Sequence, residues 1–176
     1  MADKITVLLT QEQVEARIKE MGEEISRDYA GQSLHTICIL KGGSLFMTQL
    51  TKNIDPTIPL SMDFMAVSSY GNEAQSGGVV RIIKDLDETI TGKNVIVVED
   101  IIDTGWTLSY LMELLRERKP ASLKLCTLLD KPDRREVEVK VDYVGFKIPD
   151  YFVVGYGLDY AQKHRTLPFI GVVETD

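Results

Sequence analysis

The chemistry of this chain is concentrated in Val95-Ile96-Val97-Val98-Glu99-Asp100-Ile101-Ile102-Asp103-Thr104-Gly105-Trp106-Thr107. Three carboxylates fall within five positions, directly behind four β-favouring apolar residues, and Thr-Gly-Trp-Thr follows them. The pattern reads as a buried strand ending in Glu99 and Asp100, then a turn through small hydroxylated residues into a helix. Carboxylates suit ribose hydroxyls or a hard cation, and backbone N–H groups at a helix N-terminus suit a phosphate. Together they point to a sugar phosphate. Asp103, on the loop, is free to approach a reacting atom. Thr104, Gly105 and Thr107 can offer N–H and hydroxyl donors to the phosphate. A single acid here would be read as a helix cap; three are more than a cap needs.

Other chemistries find less support. There is no G-x-x-x-x-G-K-[ST] loop and no G-x-G-x-x-G after the first expected strand. His35 and His164 have no marked nucleophile partner. Cys38 and Cys126 each lie inside an apolar run and read as buried thiols, and two cysteines alone make no zinc site.

The elements that must position the acidic turn follow from periodicity. Thr10 and Gln13 have capping-box spacing, and Val14, Ile18, Met21 and Ile25 continue as a helical stripe ending near Gly31. Residues 34–40 read as a buried strand. Lys41-Gly42-Gly43-Ser44 is a tight turn before an apolar helix. Leu60, Met62 and Phe64 alternate with polar residues as a strand running toward Ser68-Ser69-Tyr70. Residues 71–78 are polar and glycine-containing, so a mobile loop is expected there, and residues 79–84 return as a strand. After residues 95–98, Leu108, Leu111, Met112 and Leu115 share one helical face. Residues 123–129, 143–146, 152–154 and 170–173 are the remaining strands. This alternation predicts an α/β fold: one domain over residues 1–176, with a mainly parallel twisted sheet flanked by helices. Ligands in such sheets bind at the carboxyl ends of the strands. The loops after Leu40, Val98, Leu129 and Val154 all carry chemistry there.

The chain has 176 residues, enough for one real core, with 44% hydrophobic and 27% charged residues. Its net charge of −7 disfavours general binding to nucleic acid or anionic membranes. No apolar signal region and no run long enough to span a bilayer is evident, so a cytoplasmic location is expected.

The stretch from Val97 to Gly105 resembles the phosphoribosyl-pyrophosphate signature of type I phosphoribosyltransferases. Nearly the whole chain after Val7 is similar to the hypoxanthine-guanine branch of that family. The likeness runs through Leu40-Lys41-Gly42-Gly43, Ser69-Tyr70, Leu129-Asp130-Lys131, Val144-Gly145-Phe146-Lys147-Ile148-Pro149-Asp150 and Phe152-Val153-Val154-Gly155-Tyr156-Gly157-Leu158-Asp159-Tyr160, with Arg165 six residues past Asp159. The resemblance implies the type I fold with a small hood over the base site. It implies transfer of 5-phosphoribosyl from phosphoribosyl pyrophosphate to a 6-oxopurine, giving a nucleoside monophosphate and pyrophosphate with Mg²⁺. By similarity, Glu99 and Asp100 hold the ribose hydroxyls, directly or through metal and water. Asp103, Thr104, Gly105, Trp106 and Thr107 take the 5′-phosphate, and Asp103 is the general base near purine N7. Lys131, Phe152, Val153 and Asp159 bind the purine, and Asp159 joins Glu99 and Asp100 as a metal ligand. Lys41, Gly42 and Arg165 contact pyrophosphate, in a turn where the family has a non-proline cis peptide. Ser69 and Tyr70 begin a loop that closes over the site. A homodimer or homotetramer is implied.

Trp106 departs from the pattern, since some relatives carry a basic residue there. The indole offers the phosphate no charge, so backbone amides and hydroxyls must do the binding, and Trp106 is free to pack on a neighbouring loop or subunit. A nucleic-acid-binding regulator on the same fold is the competing reading. The acidic balance and the lack of a basic cluster argue against it, and a gel shift with and without nucleotide separates the two.

Overall fold

In a computed structural model, which describes residues 3–174, the chain builds two sheets of unequal size. In chain order the elements are β1 (Lys4–Leu9), α1 (Gln11–Asp28), β2 (Leu34–Leu40), α2 (Ser44–Lys52), β3 (Leu60–Ser69), α3 (Glu73–Ser76), β4 (Val80–Lys84), β5 (Asn94–Ile102), α4 (Trp106–Arg116), β6 (Ser122–Asp130), a 3-10 turn at Pro132–Arg134, β7 (Tyr143–Lys147), β8 (Val153–Val154) and β9 (Ile170–Glu174).

The main sheet has the order β4-β3-β2-β5-β6-β7 and is parallel throughout except for β4, which returns antiparallel to β3. Its central strands are apolar on both faces because helices cover both faces. Cys38, Ile96, Val98, Cys126 and Leu128 pack in one core with Val14, Ile18, Met21 and Ile25 of α1 and Phe46, Met47 and Leu50 of α2. The alternate residues Ile37, Val95, Val97 and Leu125 form a second core with Leu108, Leu111, Met112 and Leu115 of α4. The Thr10 capping box forms as its spacing predicts: Gln13 N donates to Thr10 Oγ1 at 3.2 Å and Thr10 N to Gln13 Oε1 at 2.9 Å. A three-stranded antiparallel sheet, β1-β9-β8, makes the small hood.

Four details differ from the sequence reading. Strand β1 was not anticipated; it gains its partners from β9, some 165 residues away, with Lys4 opposite Glu174. Strand β5 does not end at the first two acids but continues to Ile102, because Ile101 and Ile102 pair with Leu129 and Asp130 of β6. The stretch 71–78 holds one helical turn, α3, capped by Asn72 and closed by the left-handed Gly77. The alternating face of β3 is turned outward: Met62 and Phe64 are exposed, and Asp63 is buried, accepting from the N–H groups of Phe64, Asp87 and Glu88. That buried carboxylate organises the loop between β4 and β5.

Candidate active site

Register places the chemistry. Pairing of β5 with β6 sets Ile102 beside Asp130, so the loops carrying Asp103 and Lys131 leave the sheet together, and Lys131 N donates to Ile102 O at 3.0 Å. On the other side, β2 ends at Leu40, the Leu40–Lys41 peptide is cis, and the turn folds over the end of β5. Gly42 lies so close to Asp100 that a Cβ there would collide with the carboxylate. Gly157 in turn lies against the carbonyl of Gly42 with φ +100°, a conformation and a clearance that only glycine provides. The Lys41–Gly43 turn is thus held between β5 and the hood.

A cavity of about 190 Å³ opens at this end of the sheet. It is lined by the turn from Glu99 to Gly105, by Thr107 and Leu108 of α4, and by Ser69 and Glu73 of the hairpin that crosses it. Helix α4 begins with Gly105 as its N-cap, at φ +91°, and no side chain caps it. The acids of the turn therefore do not serve as caps, and the first-turn N–H groups face the cavity end of the helix.

Burial pushes the carboxyl of Glu99 well above its ordinary range, and the adjacent Asp100 adds to the shift. Asp100 is raised as well, mainly by burial, and is partly offset by hydrogen bonds and by the Arg165 charge. The same surroundings push the Cys38 thiol up to about 12, burial first and the two acids next, so it is an inert core group. Cys126 is likewise buried and raised.

Asp103 is held at the start of a chain of ions. Its Oδ1 accepts from Arg134 Nε at 2.7 Å, Arg134 lies 3.6 Å from Asp150, and Asp150 lies 3.7 Å from Lys131 Nζ. Arg135 donates to the Asp103 carbonyl at 3.1 Å and pairs with Asp130. Lys131 is only 7% exposed, which sets it apart from an ordinary solvated loop lysine. Trp106 finds its partner in this segment, donating from Nε1 to Glu136 Oε2 at 2.7 Å, while Glu136 N donates to Thr104 O at 2.9 Å. Trp106 therefore fastens the turn to the β6–β7 connection.

The hood contributes a second cluster. Phe152 is half-exposed and meets Tyr160 edge-on, with ring centroids 5.5 Å apart. Val153 is buried in β8, opposite Val172. Asp159 Oδ1 lies 3.2 Å from Arg165, whose other terminal nitrogen donates to Gly157 O at 2.7 Å. Gln162 accepts from Lys41 Nζ at 3.3 Å and from Arg165 at 3.0 Å.

The structure thus gathers Glu99, Asp100, Asp103, Thr104, Gly105 and Thr107 with Ser69 in one cavity. Lys41, Asp159 and Arg165 form a neighbouring cluster, and Lys131 joins Asp103 through Arg134 and Asp150. Tyr70 does not join Ser69; its side chain is exposed and outside the cavity lining. Glu73, Arg134 and Gln162 were missed by the sequence reading. The run Asp133-Arg134-Arg135-Glu136, just after Lys131, was the available signal for Arg134.

Among the described residues no group of three or more acids, histidines or cysteines is gathered tightly enough to form a metal cage. Glu99 and Asp100 nonetheless supply the hard oxygens that Mg²⁺ takes, and Mg²⁺ is normally held by one or two carboxylates with substrate phosphates rather than by an all-protein shell. The donor set fits an ion brought in with a diphosphate. No helix among the described residues is long and apolar enough to cross a membrane.

A phosphoribosyl transferase domain model matches residues 5–161. The chain is 52% identical to a hypoxanthine-guanine phosphoribosyltransferase of Bacillus subtilis, over 96% of this chain and 92% of that one. It is 51% identical to the enzyme of the same name from Mycobacterium tuberculosis strain H37Rv, over 96% and 86%. A crystal structure of a hypoxanthine-guanine phosphoribosyltransferase from Bacillus anthracis superposes with a TM-score of 0.93 at 48% identity, covering 97% of this chain and all of that one.

Proposed function

The chain belongs to the phosphoribosyltransferase family, in its hypoxanthine-guanine branch, and from that premise we propose how its residues carry out purine salvage. The reaction joins N9 of hypoxanthine or guanine to C1′ of phosphoribosyl pyrophosphate. The C1′–O bond breaks, pyrophosphate leaves with the bonding pair, and IMP or GMP is formed. The residues 1–176 act as one phosphoribosyltransferase domain.

The observation that carries the site assignment is the ion chain from Asp103 to Lys131. It links a carboxylate to a buried ammonium, through Arg134 and Asp150, at the adjacent ends of β5 and β6. A planar base that turns its N7/O6 edge toward these two groups meets Lys131 at its exocyclic O6 and Asp103 at the neighbouring N7. Lys131 donates to an oxo group and would meet only donors on the 6-amino group of adenine, which gives selectivity for 6-oxopurines. Phe152, half-exposed, stacks on the purine, and the Val153 backbone meets its edge. Asp103 takes the N7 proton as positive charge develops on the ribose and the base becomes bonded through N9.

Glu99 and Asp100 hold the ribose hydroxyls, and Thr104 to Thr107 hold the 5′-phosphate through the uncapped N-terminus of α4. Lys41, Gly42 and Arg165 meet the pyrophosphate. Mg²⁺ would be held by Glu99 and Asp100 on the ribose side and by Asp159 on the pyrophosphate side, and would screen the charge of the leaving group. Ser69 and Tyr70 open the hairpin that excludes water from the ribosyl cation.

The protein works in the cytoplasm on small molecules, without nucleic acid or membrane, as a homodimer or homotetramer. Met62 and Phe64 of β3 and Ile83 of β4 lie on the face of the sheet opposite Met65 and Ile82 and expose apolar surface that a second copy would cover. Light scattering after size exclusion reads the oligomeric state. A base-competition assay with hypoxanthine, guanine, xanthine and adenine tests the activity. Turnover of hypoxanthine or guanine but not adenine is expected, and no turnover of either 6-oxopurine would refute the reading.

A further inference from the structure

The hairpin between β3 and β4 places a fourth carboxylate in an already acidic cavity. Glu73 Oε2 accepts from Thr104 Oγ1 at 2.8 Å, and Glu73 Oε1 accepts from Thr107 Oγ1 at 2.7 Å and from Ser69 Oγ at 3.3 Å. No lysine or arginine lines this cavity, and Glu99, Asp100 and Asp103 do. An anion therefore sits here against the local charge, held by hydroxyl donors at the positive end of α4. These are the donors assigned above to the 5′-phosphate.

The hairpin is built to present that side chain. Asn72 Oδ1 accepts from Ala74 N at 3.0 Å and starts the helical turn at Glu73, and Gly78 N donates back to Glu73 O at 2.9 Å. Gly78, at φ +77°, lies against the backbone of Trp106 so closely that any side chain there would collide with its carbonyl. The hairpin backbone is thus seated on the first residue of α4, and the Glu73 carboxylate reaches the hydroxyls beside it.

We propose that Glu73 is a built-in competitor for the 5′-phosphate. Its carboxylate occupies the phosphate seat of the free enzyme, and phosphorylated substrate must displace it. This rests on the phosphate role of Thr104 to Thr107 proposed above. The consequence is a specificity threshold. A lone phosphate must overcome the full competition with little else to gain. Phosphoribosyl pyrophosphate and IMP compensate through ribose, base or diphosphate contacts. Displacement also frees the hairpin that begins at Ser69, so arrival of the phosphate and release of the hairpin become one event.

If the carboxylate fills the seat about nine-tenths of the time, it weakens apparent phosphate affinity roughly tenfold. The test is calorimetric titration of the intact protein, and of its Glu73→Gln, Glu73→Ala and Glu73→Ala/Thr107→Val variants, with IMP, inosine and inorganic phosphate. Both Glu73 variants should bind IMP and inorganic phosphate roughly tenfold more tightly and inosine as before, while adding Thr107→Val to Glu73→Ala, where the competitor is already gone, weakens IMP binding. A purely structural role for Glu73 would loosen the hairpin and leave IMP unchanged or weakened, or change inosine equally; either result overturns the inference while the phosphate assignment stands. If Glu73→Ala/Thr107→Val binds IMP as Glu73→Ala does, the phosphate assignment fails and the inference fails with it.

Discussion

Replacing Asp103 by Asn removes a charge and almost nothing else. The side chains are isosteric, and an amide oxygen can still accept from Arg134 Nε, which lies 2.7 Å from Oδ1. Arg134 also keeps Asp150 at 3.6 Å. The Asp103 and Arg134 side chains are each 42% exposed, so their pair falls in the solvent-screened class worth about 0–1 kcal/mol. For a chain of this size the cost in Tm is then at most roughly 2–4 °C. The substituted amide, by contrast, cannot take the purine proton. Loss of a positioned general base costs about 10²–10⁴-fold in rate, or roughly 3–5 kcal/mol of barrier. The ribose and phosphate contacts come from other groups, so affinity for phosphoribosyl pyrophosphate should change little. Steady-state IMP formation, calorimetric affinity for phosphoribosyl pyrophosphate and thermal unfolding of Asp103→Asn separate these effects. A kcat within about threefold of the parent, in a folded protein, lies far outside the range for a lost general base and would refute its assignment to Asp103.

Three further changes probe other parts of the site. Lys131→Ala removes the buried ammonium facing Asp150; kcat/KM for hypoxanthine should fall about 10–100-fold while that for adenine stays low, and an unchanged preference removes Lys131 from base recognition. Glu99→Gln should stabilise the free enzyme, because burial and Asp100 raise the Glu99 pKa above its ordinary 4.5. The folded state then binds more protons than the unfolded one over the interval above that value, so the parent loses stability as pH rises through it. The Tm gain of the variant should be absent at acid pH and grow toward neutrality, at roughly 2–4 °C per kcal/mol, while affinity for phosphoribosyl pyrophosphate falls; a Tm gain independent of pH contradicts the argument. Gly157→Ala forces a side chain at φ +100° into the Gly42 carbonyl and should cost about 1–3 kcal/mol. Its KM for phosphoribosyl pyrophosphate should rise more than its KM for hypoxanthine, and equal changes would argue against Gly42 as a pyrophosphate contact.

What could be read from the sequence was what local pattern encodes. The α1 capping box, the apolar stripe of α4 and the continuous apolar runs of β2, β5 and β6 each carry their signal within a dozen residues. The acidic turn announced itself because its residues are adjacent in the chain. Strand β1 carries no such signal, since its pairing with β9 is nonlocal and it covers an edge. The extension of β5 through Glu99 and Asp100 ran against strand propensity and was decided by the partner residues on β6. Glu73, Arg134 and Gln162 lie on separate segments from the groups they contact, 31, 31 and 121 residues distant in the cases of Thr104, Asp103 and Lys41. Only the fold brings them together. Phe152, assigned to the purine by similarity alone, is half-exposed just before the two-residue strand β8 at the edge of the hood.

The division of labour across the strand ends is tested most directly by a crystal structure of the protein with IMP bound. The account predicts the 5′-phosphate among the N–H and hydroxyl groups of Thr104 to Thr107, with the Glu73 carboxylate displaced. It places the ribose hydroxyls at Glu99 and Asp100, and the hypoxanthine stacked on Phe152 with N7 at Asp103 and O6 at Lys131 Nζ. A nucleotide whose phosphate lies away from the start of α4, or whose base lies out of reach of both Asp103 and Lys131, would contradict it.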